Sequence, residues 1–275
     1  IGSGSPKTFL ISGVHGNEKT GQAVIKRLLS EPIDFAGTLT ILAIANPKGF
    51  DKNIRQEPVS GLDLNRSFLD VEIPSPAKEI IDSIVETAKR HEFVIDLHNF
   101  TTDGLIQVVS NHVKNADSLA LLFRPDIVRT SGKAGVLKRG GTFSQLTKQI
   151  GIPYVLLELP IDTKISQERI EQIVSGLKDH LMIAGKYQQN SSAFDEIPKV
   201  GIRLVKAEKA GVFARDKNIA LKTIVSAGDT LGEIRLEGKS IPVVASHAGI
   251  VCELDSDETR EVYMGQTLVG IGEYI

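Results

Sequence analysis

Short apolar runs alternate, over the first two-thirds of the chain, with stretches whose apolar residues recur at helical spacing. Thr8–Ser12 and Leu39–Ala45 read as strands, with Gly21–Leu29 helical between them. A long polar loop follows. The pattern resumes with a helix in which Ile80, Ile81, Ile84, Val85 and Ala88 fall on one side, entered through Ser75-Pro76 as a capping residue and a first-turn proline. Further strands are predicted at Phe93–Leu97, Leu105–Val109 and Pro153–Leu157, and a last helix carries Ile170, Ile173, Val174, Leu177 and Leu181 on one face. Strands alternating with helices predict an α/β sandwich with a mostly parallel sheet covered on both faces. Sites in such folds sit at the carboxyl ends of the strands.

The pattern changes near residue 190. Gln188-Gln189-Asn190-Ser191-Ser192-Ala193 precedes a Gly-punctuated, strand-like region, so a linker is expected at 188–199 between domains of residues 1–187 and 200–275. The second region repeats itself. Ala210-Gly211-Val212-Phe213 leading to Gly228-Asp229-Thr230-Leu231-Gly232 returns as Ala248-Gly249-Ile250-Val251 leading to Gly265-Gln266-Thr267-Leu268-Val269. A strand, turn and strand repeated after roughly 37 residues predicts a pseudo-twofold β-structure in which each half covers the other's apolar face. It resembles the barrel-sandwich fold of lipoyl and biotinyl domains.

Composition narrows the possibilities. The 275 residues are 41% hydrophobic and 24% charged, with a formal charge of −2, so no basic field marks a nucleic-acid or anionic-membrane partner. Lone Cys252 cannot form an internal bridge, which fits a reducing, cytoplasmic setting. No apolar run approaches the roughly 20 residues of a membrane span, and Ile1-Gly2-Ser3-Gly4-Ser5-Pro6 lacks the features of a signal peptide. A chain opening on Ile rather than Met is expected to lack a preceding native segment.

Candidate chemistry collects at predicted strand ends. Gly13-Val14-His15-Gly16-Asn17-Glu18 lies between a strand and a helix, and His15 and Glu18, three apart at the start of that helix, can project to one side. Asp96-Leu97-His98-Asn99 ends an apolar strand, where a metal would satisfy groups otherwise costly to bury. Two imidazoles and a carboxylate with one position open match a catalytic zinc arrangement. Each fragment alone has a plainer reading, as a solvated loop histidine, a helix-terminal Glu or a hydrogen-bonded core histidine.

The polar loop carries Arg55 and Asp63-Leu64-Asn65-Arg66. Arg66 with Asn65 can clamp a substrate carboxylate, and Arg55 can meet an oxyanion; surface arginines are the ordinary alternative. Glu158 ends the apolar strand that begins at Pro153, placed to act as a general base or to pair with a buried cation.

Taken as a set, Gly-x-His-Gly-x-Glu, Arg, Asp-Leu-Asn-Arg, Asp-Leu-His and a late strand-end Glu resemble the succinylglutamate desuccinylase and aspartoacylase family, a branch of the zinc carboxypeptidase-like hydrolases. The resemblance covers most of residues 8–187, and a β-domain like the C-terminal one is appended in that family. It implies a carboxypeptidase-like α/β/α sandwich with a mixed, mostly parallel sheet and a C-terminal all-β barrel-sandwich domain. One Zn²⁺ per chain is implied, held by His15, Glu18 and His98, with Asp63 orienting a ligand imidazole. Glu158 is then the general base, Arg55 the carbonyl-polarising group, and Asn65 and Arg66 the substrate-binding residues, with a further substrate-binding Arg for which Arg139 stands ahead of Arg129. The implied reaction is hydrolysis of a small anionic N-acyl amino acid by metal-activated water.

The sequence departs from the family pattern at Leu159-Pro160, where Gly often follows the catalytic Glu. The same residues would serve a zinc carboxypeptidase acting on peptides. A carrier-type module is the third reading, with Lys239 between the two β-repeats near where a lipoyl domain presents its lysine. The chain is compatible with a homo-oligomer.

Overall fold

The computed structural model describes residues 1–33, 35–130, 141–183, 185–187, 191–255 and 257–275. The elements begin with β1 (Gly2–Ser3), β2 (Lys7–Ser12), α1 (Thr20–Leu28), β3 (Gly37–Leu42) and α2 (Pro47–Lys52). A single 3-10 turn (Leu64–Arg66) precedes α3 (Ala77–Ala88), β4 (Phe93–Asn99), β5 (Asp103–Gly104), β6 (Gln107–Ser110), α4 (Ala116–Leu121) and β7 (Ile127–Arg129). Then come α5 (Phe143–Gln149), β8 (Tyr154–Leu159), α6 (Gln167–Ile183) and α7 (Ser191–Asp195). The rest is strand: β9 (Lys199–Lys206), β10 (Gly211–Arg215), β11 (Ile224–Val225), β12 (Thr230–Leu236), β13 (Lys239–Val244), β14 (Gly249–Leu254), β15 (Thr259–Val262) and β16 (Thr267–Tyr274).

These elements form two compact units. The first gathers Ile1–Thr101, Ile106–Asp126 and the later residues up to Ile197; the second gathers Thr102–Leu105, a stretch beginning at Ile127, and Pro198–Ile275. The second unit is therefore not confined to 200–275. Within the expected linker, Ser191–Asp195 is helical and β9 already begins at Lys199.

In the first unit the strand order is β1-β3-β2-β4-β8-β6. The pairs β3/β2, β2/β4 and β4/β8 are parallel, whereas β1 and β6 join antiparallel. Every residue of β4 is buried, as a strand covered on both faces requires. On one face Phe9, Ile11, Val94, Tyr154 and Leu156 meet Ile81, Ile84 and Ala88 of α3 and Phe143 of α5. Each fully buried Ile of α3 contributes about 2 kcal/mol of apolar burial, while Lys78, Asp82 and Glu86 keep the opposite side in water. On the other face α1 lies close to Ser12 and Leu97, and Arg27 of α1 pairs with Glu171 of α6 at 2.6 Å.

Some local expectations are corrected. β3 stops at Leu42 rather than Ala45, because the chain then turns to meet the loop after β2, with Ala45 N donating to Ser12 O (3.0 Å) and Asn46 N to Gly13 O (2.9 Å). Ser75 does not cap α3; its hydroxyl bonds to Glu79, and Pro76 occupies the cap position. The short elements α2, α4, β7 and α5 carry too little periodicity to read as elements.

In the second unit the repeat has a direct structural counterpart. The first copy supplies β10 and β12, paired antiparallel in a sheet of order β13-β12-β10-β15. The second supplies β14 and β16, paired antiparallel in a run of order β7-β9-β16-β14-β11, with β5 also on β14. Phe213, Leu231 and Ile234 from one copy share a core with Val251, Leu268, Val269 and Ile271 from the other. Cys252 is a buried core residue, and Lys239 is exposed at the start of β13, after Gly238.

Candidate metal centre

The parallel register brings the ends of β2, β4 and β8 level, with Ser12 opposite Leu97 and His98 opposite Glu158. β2 leaves the sheet through Gly13, whose φ of +67° is the left-handed conformation that glycine adopts without strain. Gly16 then rests directly on α2. A Cβ there would stand 2.0 Å from the carbonyl carbon of Gly49, so no larger residue lets this loop close. His15 and Glu18 lie in the turn before α1 rather than within the helix, and Glu18 N donates to His15 O at 3.2 Å. Thr20 fastens the helix start to the strand ends, its N–H donating to Asn99 Oδ1 (3.0 Å) and its hydroxyl to Pro160 O (2.7 Å).

His15, Glu18 and His98 converge, each 5% exposed or less. Glu18 Oε1 is 2.6 Å from His15 Nδ1, Glu18 Oε2 is 2.9 Å from His98 Nδ1, and the two Nδ1 atoms are 3.1 Å apart. The N–H of Asn99 donates to Glu18 Oε2 at 3.1 Å. Two imidazole nitrogens and a carboxylate facing one another in a buried site make a donor set that could hold a cation. Ligands of a tetrahedral zinc stand about 3.3 Å apart, so donors spaced 2.6–3.1 Å would spread by a few tenths of an ångström to take such an ion. Burial alone would raise the Glu18 pKa, but the charges of His98 and His15 and their hydrogen bonds outweigh it and hold the carboxyl well below its usual range. Burial opposes protonation of His98, yet Asp96 and Glu18 push its pKa up.

The outward-facing ring nitrogens also meet carboxylates. His15 Nε2 lies 3.0 Å from Asp63 Oδ1, and Asp63 Oδ2 accepts from Arg55 Nε at 3.0 Å. Against the effect of burial, His15, Arg55 and Arg66 hold the Asp63 carboxyl well below its ordinary range. His98 Nε2 lies 3.1 Å from Asp96 Oδ2 without the alignment of a hydrogen bond, and that oxygen accepts the Tyr154 hydroxyl at 2.7 Å. Sequence reasoning missed Asp96 and Tyr154 as a pair; the only signal was a carboxylate two residues before His98 on a strand with no solvent-facing side.

The remaining candidates divide. Arg55 joins the cluster directly, its Nη1 donating to Glu18 Oε1 at 3.2 Å. Glu158 is partly exposed on β8, in register with His98 on one side and Gln107 on the other. Asn65 is buried with its Oδ1 accepting the first N–H of α5, from Phe143, at 3.1 Å; this leaves the Nδ2 end as the part available to a ligand. Arg66 is exposed, with Nη1 donating to Asn65 O at 3.0 Å. Arg139 lies outside the described residues.

A mixed sheet with helices on both faces and a buried His–Glu–His group at its strand ends defines the class: an α/β protein whose strand ends carry a group that could bind a metal. The sequence profile of the succinylglutamate desuccinylase/aspartoacylase catalytic domain matches residues 5–183, and the chain belongs to that family of deacylating hydrolases. No protein of curated function matches the chain. Among solved structures, the product-bound ectoine utilization protein EutE (DoeB) from Ruegeria pomeroyi is similar with a TM-score of 0.77 at 20% identity, over 99% of this chain and 87% of that one. A succinylglutamate desuccinylase/aspartoacylase from Rhodobacter sphaeroides gives 0.73 at 18%, over 100% and 87%. An aspartoacylase family protein from Mesorhizobium loti gives 0.69 at 20%, over 99% and 87%. At these identities the likeness is one of fold. Among the described residues, no helix is long and apolar enough to cross a membrane.

Proposed function

We propose that the protein is a zinc-dependent deacylase that hydrolyses the amide bond of a small, anionic N-acyl amino acid. The observation that carries this reading is the convergence of His15 Nδ1, His98 Nδ1 and the Glu18 carboxylate within 3.1 Å of one another, in a chain of the desuccinylase/aspartoacylase family. When bound by these three residues, zinc supplies a Lewis acid that acidifies water and polarises a carbonyl.

The protein's own groups supply the rest. Glu158, in register beside His98, takes the proton from the attacking water and passes it to the departing amine. Arg55, held by Asp63 and Glu18, keeps a guanidinium over the cluster with its side chain 38% exposed, and so reaches the developing oxyanion. Arg66, Asn65 through Nδ2, and Arg139 bind the substrate carboxylate and fix the carbonyl for attack. The products are a carboxylic acid and a free amino acid. The repeat strands β10 and β12 in one sheet and β14 and β16 in the other, sharing one apolar core, support the reading of the second unit as a barrel-sandwich domain.

The test is a panel of N-acetyl and N-succinyl amino acids beside a C-terminal dipeptide, assayed with the zinc-loaded protein. Zinc-dependent release of amino acid from an acylated substrate is expected. Cleavage of the dipeptide alone would assign a carboxypeptidase instead.

A further inference from the structure

Between Arg55 and Asp63 the chain makes a turn held by an unusual anchor. Val59, the apolar residue at its tip, is 64% exposed, so apolar burial does not hold the tip in place. The enclosed group is Glu57, a carboxylate with no exposed surface. It accepts the N–H of Val59 at 3.1 Å on both oxygens, and on Oε2 the N–H of Ser60 at 2.6 Å and the hydroxyl of Ser60 at 2.7 Å. The backbone closes around it, with Glu57 N donating to Leu62 O (2.9 Å) and Gly61 N to Glu57 O (2.8 Å). Gly61 has a φ of +72°, which this reversal requires.

The two ends of the turn meet at the metal cluster. Arg55 and Asp63 are joined by the 3.0 Å Nε–Oδ2 contact; Asp63 also faces His15 Nε2, and Arg55 O accepts Gly16 N at 3.4 Å. Whatever fixes the path from 57 to 62 therefore fixes where Arg55 and Asp63 stand. We propose that Glu57 is a positioning residue: its carboxylate sets the placement of Arg55 and, through Asp63, the orientation of the His15 imidazole. This rests on the reading of His15 as a zinc ligand and of Arg55 as a substrate-facing group.

The experiment uses the full chain with Glu57→Gln and Ser60→Ala. Glu57→Gln replaces one acceptor oxygen by a donor facing the Val59 N–H, and Ser60→Ala removes a single hydroxyl. Zinc affinity is read by competition with a chromogenic chelator, and kcat and KM on whichever N-acyl amino acid the wild type cleaves. For Glu57→Gln, zinc affinity and kcat are each expected to fall about tenfold, the lower range for lost outer partners of a metal ligand, with KM nearly unchanged. Ser60→Ala is expected to change both in the same direction by less. If both variants keep wild-type zinc affinity and kcat, even with a lowered Tm, Glu57 only stabilises the turn and the proposal is overturned. Should Glu57→Gln fail to fold, Ser60→Ala decides on the same readouts. A wild type that binds zinc yet cleaves no N-acyl amino acid defeats the reading of the reaction alone, and the chelator measurement still decides Glu57. A wild type that takes up no zinc overturns both.

Discussion

Asp63 Oδ1 stands 3.0 Å from His15 Nε2, on the side of the ring away from Glu18, so the tautomer that leaves Nδ1 free for a cation places its proton toward a carboxylate. Such outer carboxylates fix the ring and raise its basicity as a ligand. Asp63→Ala is therefore expected to weaken zinc binding by roughly 10- to 100-fold, measured by chelator competition. An unchanged affinity would remove Asp63 from this role.

Glu158 and His98 sit side by side in register but are assigned different work. Glu158→Gln should keep stoichiometric zinc and lose turnover by about 10²- to 10⁴-fold, the usual contribution of a positioned general base. His98→Ala should lose the metal itself. Elemental analysis beside kinetics separates the two, and near-normal hydrolysis by Glu158→Gln would end its assignment as base.

Gly16 is a steric prediction. A methyl group there would lie 2.0 Å from Gly49 C and 2.4 Å from Phe50 N, and backbone on both sides leaves no flexible side chain to give way. Gly16→Ala should cost about 1–3 kcal/mol or more in urea unfolding and lower zinc uptake by moving His15. A variant with normal stability and normal zinc content would contradict the close approach.

His180 makes a prediction away from the site. It is fully buried on α6, with Nε2 2.7 Å from Thr8 Oγ1 and Nδ1 bonded to the Tyr187 hydroxyl, and burial lowers its pKa to about 4. The unfolded chain takes up this proton from about pH 6.5 downward, the folded chain only near 4. The contribution is thus fully present above pH 6.5 and is lost as pH falls through that window, about 3 kcal/mol in all. Urea midpoints of His180→Gln between pH 7 and 4 should fall less steeply than those of the wild type. Parallel curves would refute the shift.

How much of this can be read from sequence depends on where the stabilising partners lie. His15, Glu18 and His98 are legible because each lies at or just beyond the carboxyl end of an apolar strand in an α/β pattern, and parallel pairing brings such ends together. Asp96 and Tyr154 are not, because their 2.7 Å contact joins residues on strands that become neighbours only once β4 and β8 pair. Glu57 is still less visible. A carboxylate in a polar loop looks solvated until the backbone N–H groups that enclose it are placed. Asn65 shows how a motif can hide a second task, since its oxygen holds the start of α5. The short elements α4, β7 and α5 escape because three to seven residues hold too few turns or alternations to define a period.

The chain enters the second unit three times, first at Thr102, four residues after His98. β5 is spent on β14, and β7 on β9, before the main run of the unit begins at Pro198. The β-unit is consequently not portable. A cut in the segment 188–199, where a domain swap or a truncated expression product would naturally be made, separates β14 and β9 from strands encoded far upstream and leaves their hydrogen-bonding edges bare. A cassette beginning at Pro198 would leave β5 and β7 behind in the middle of the chain.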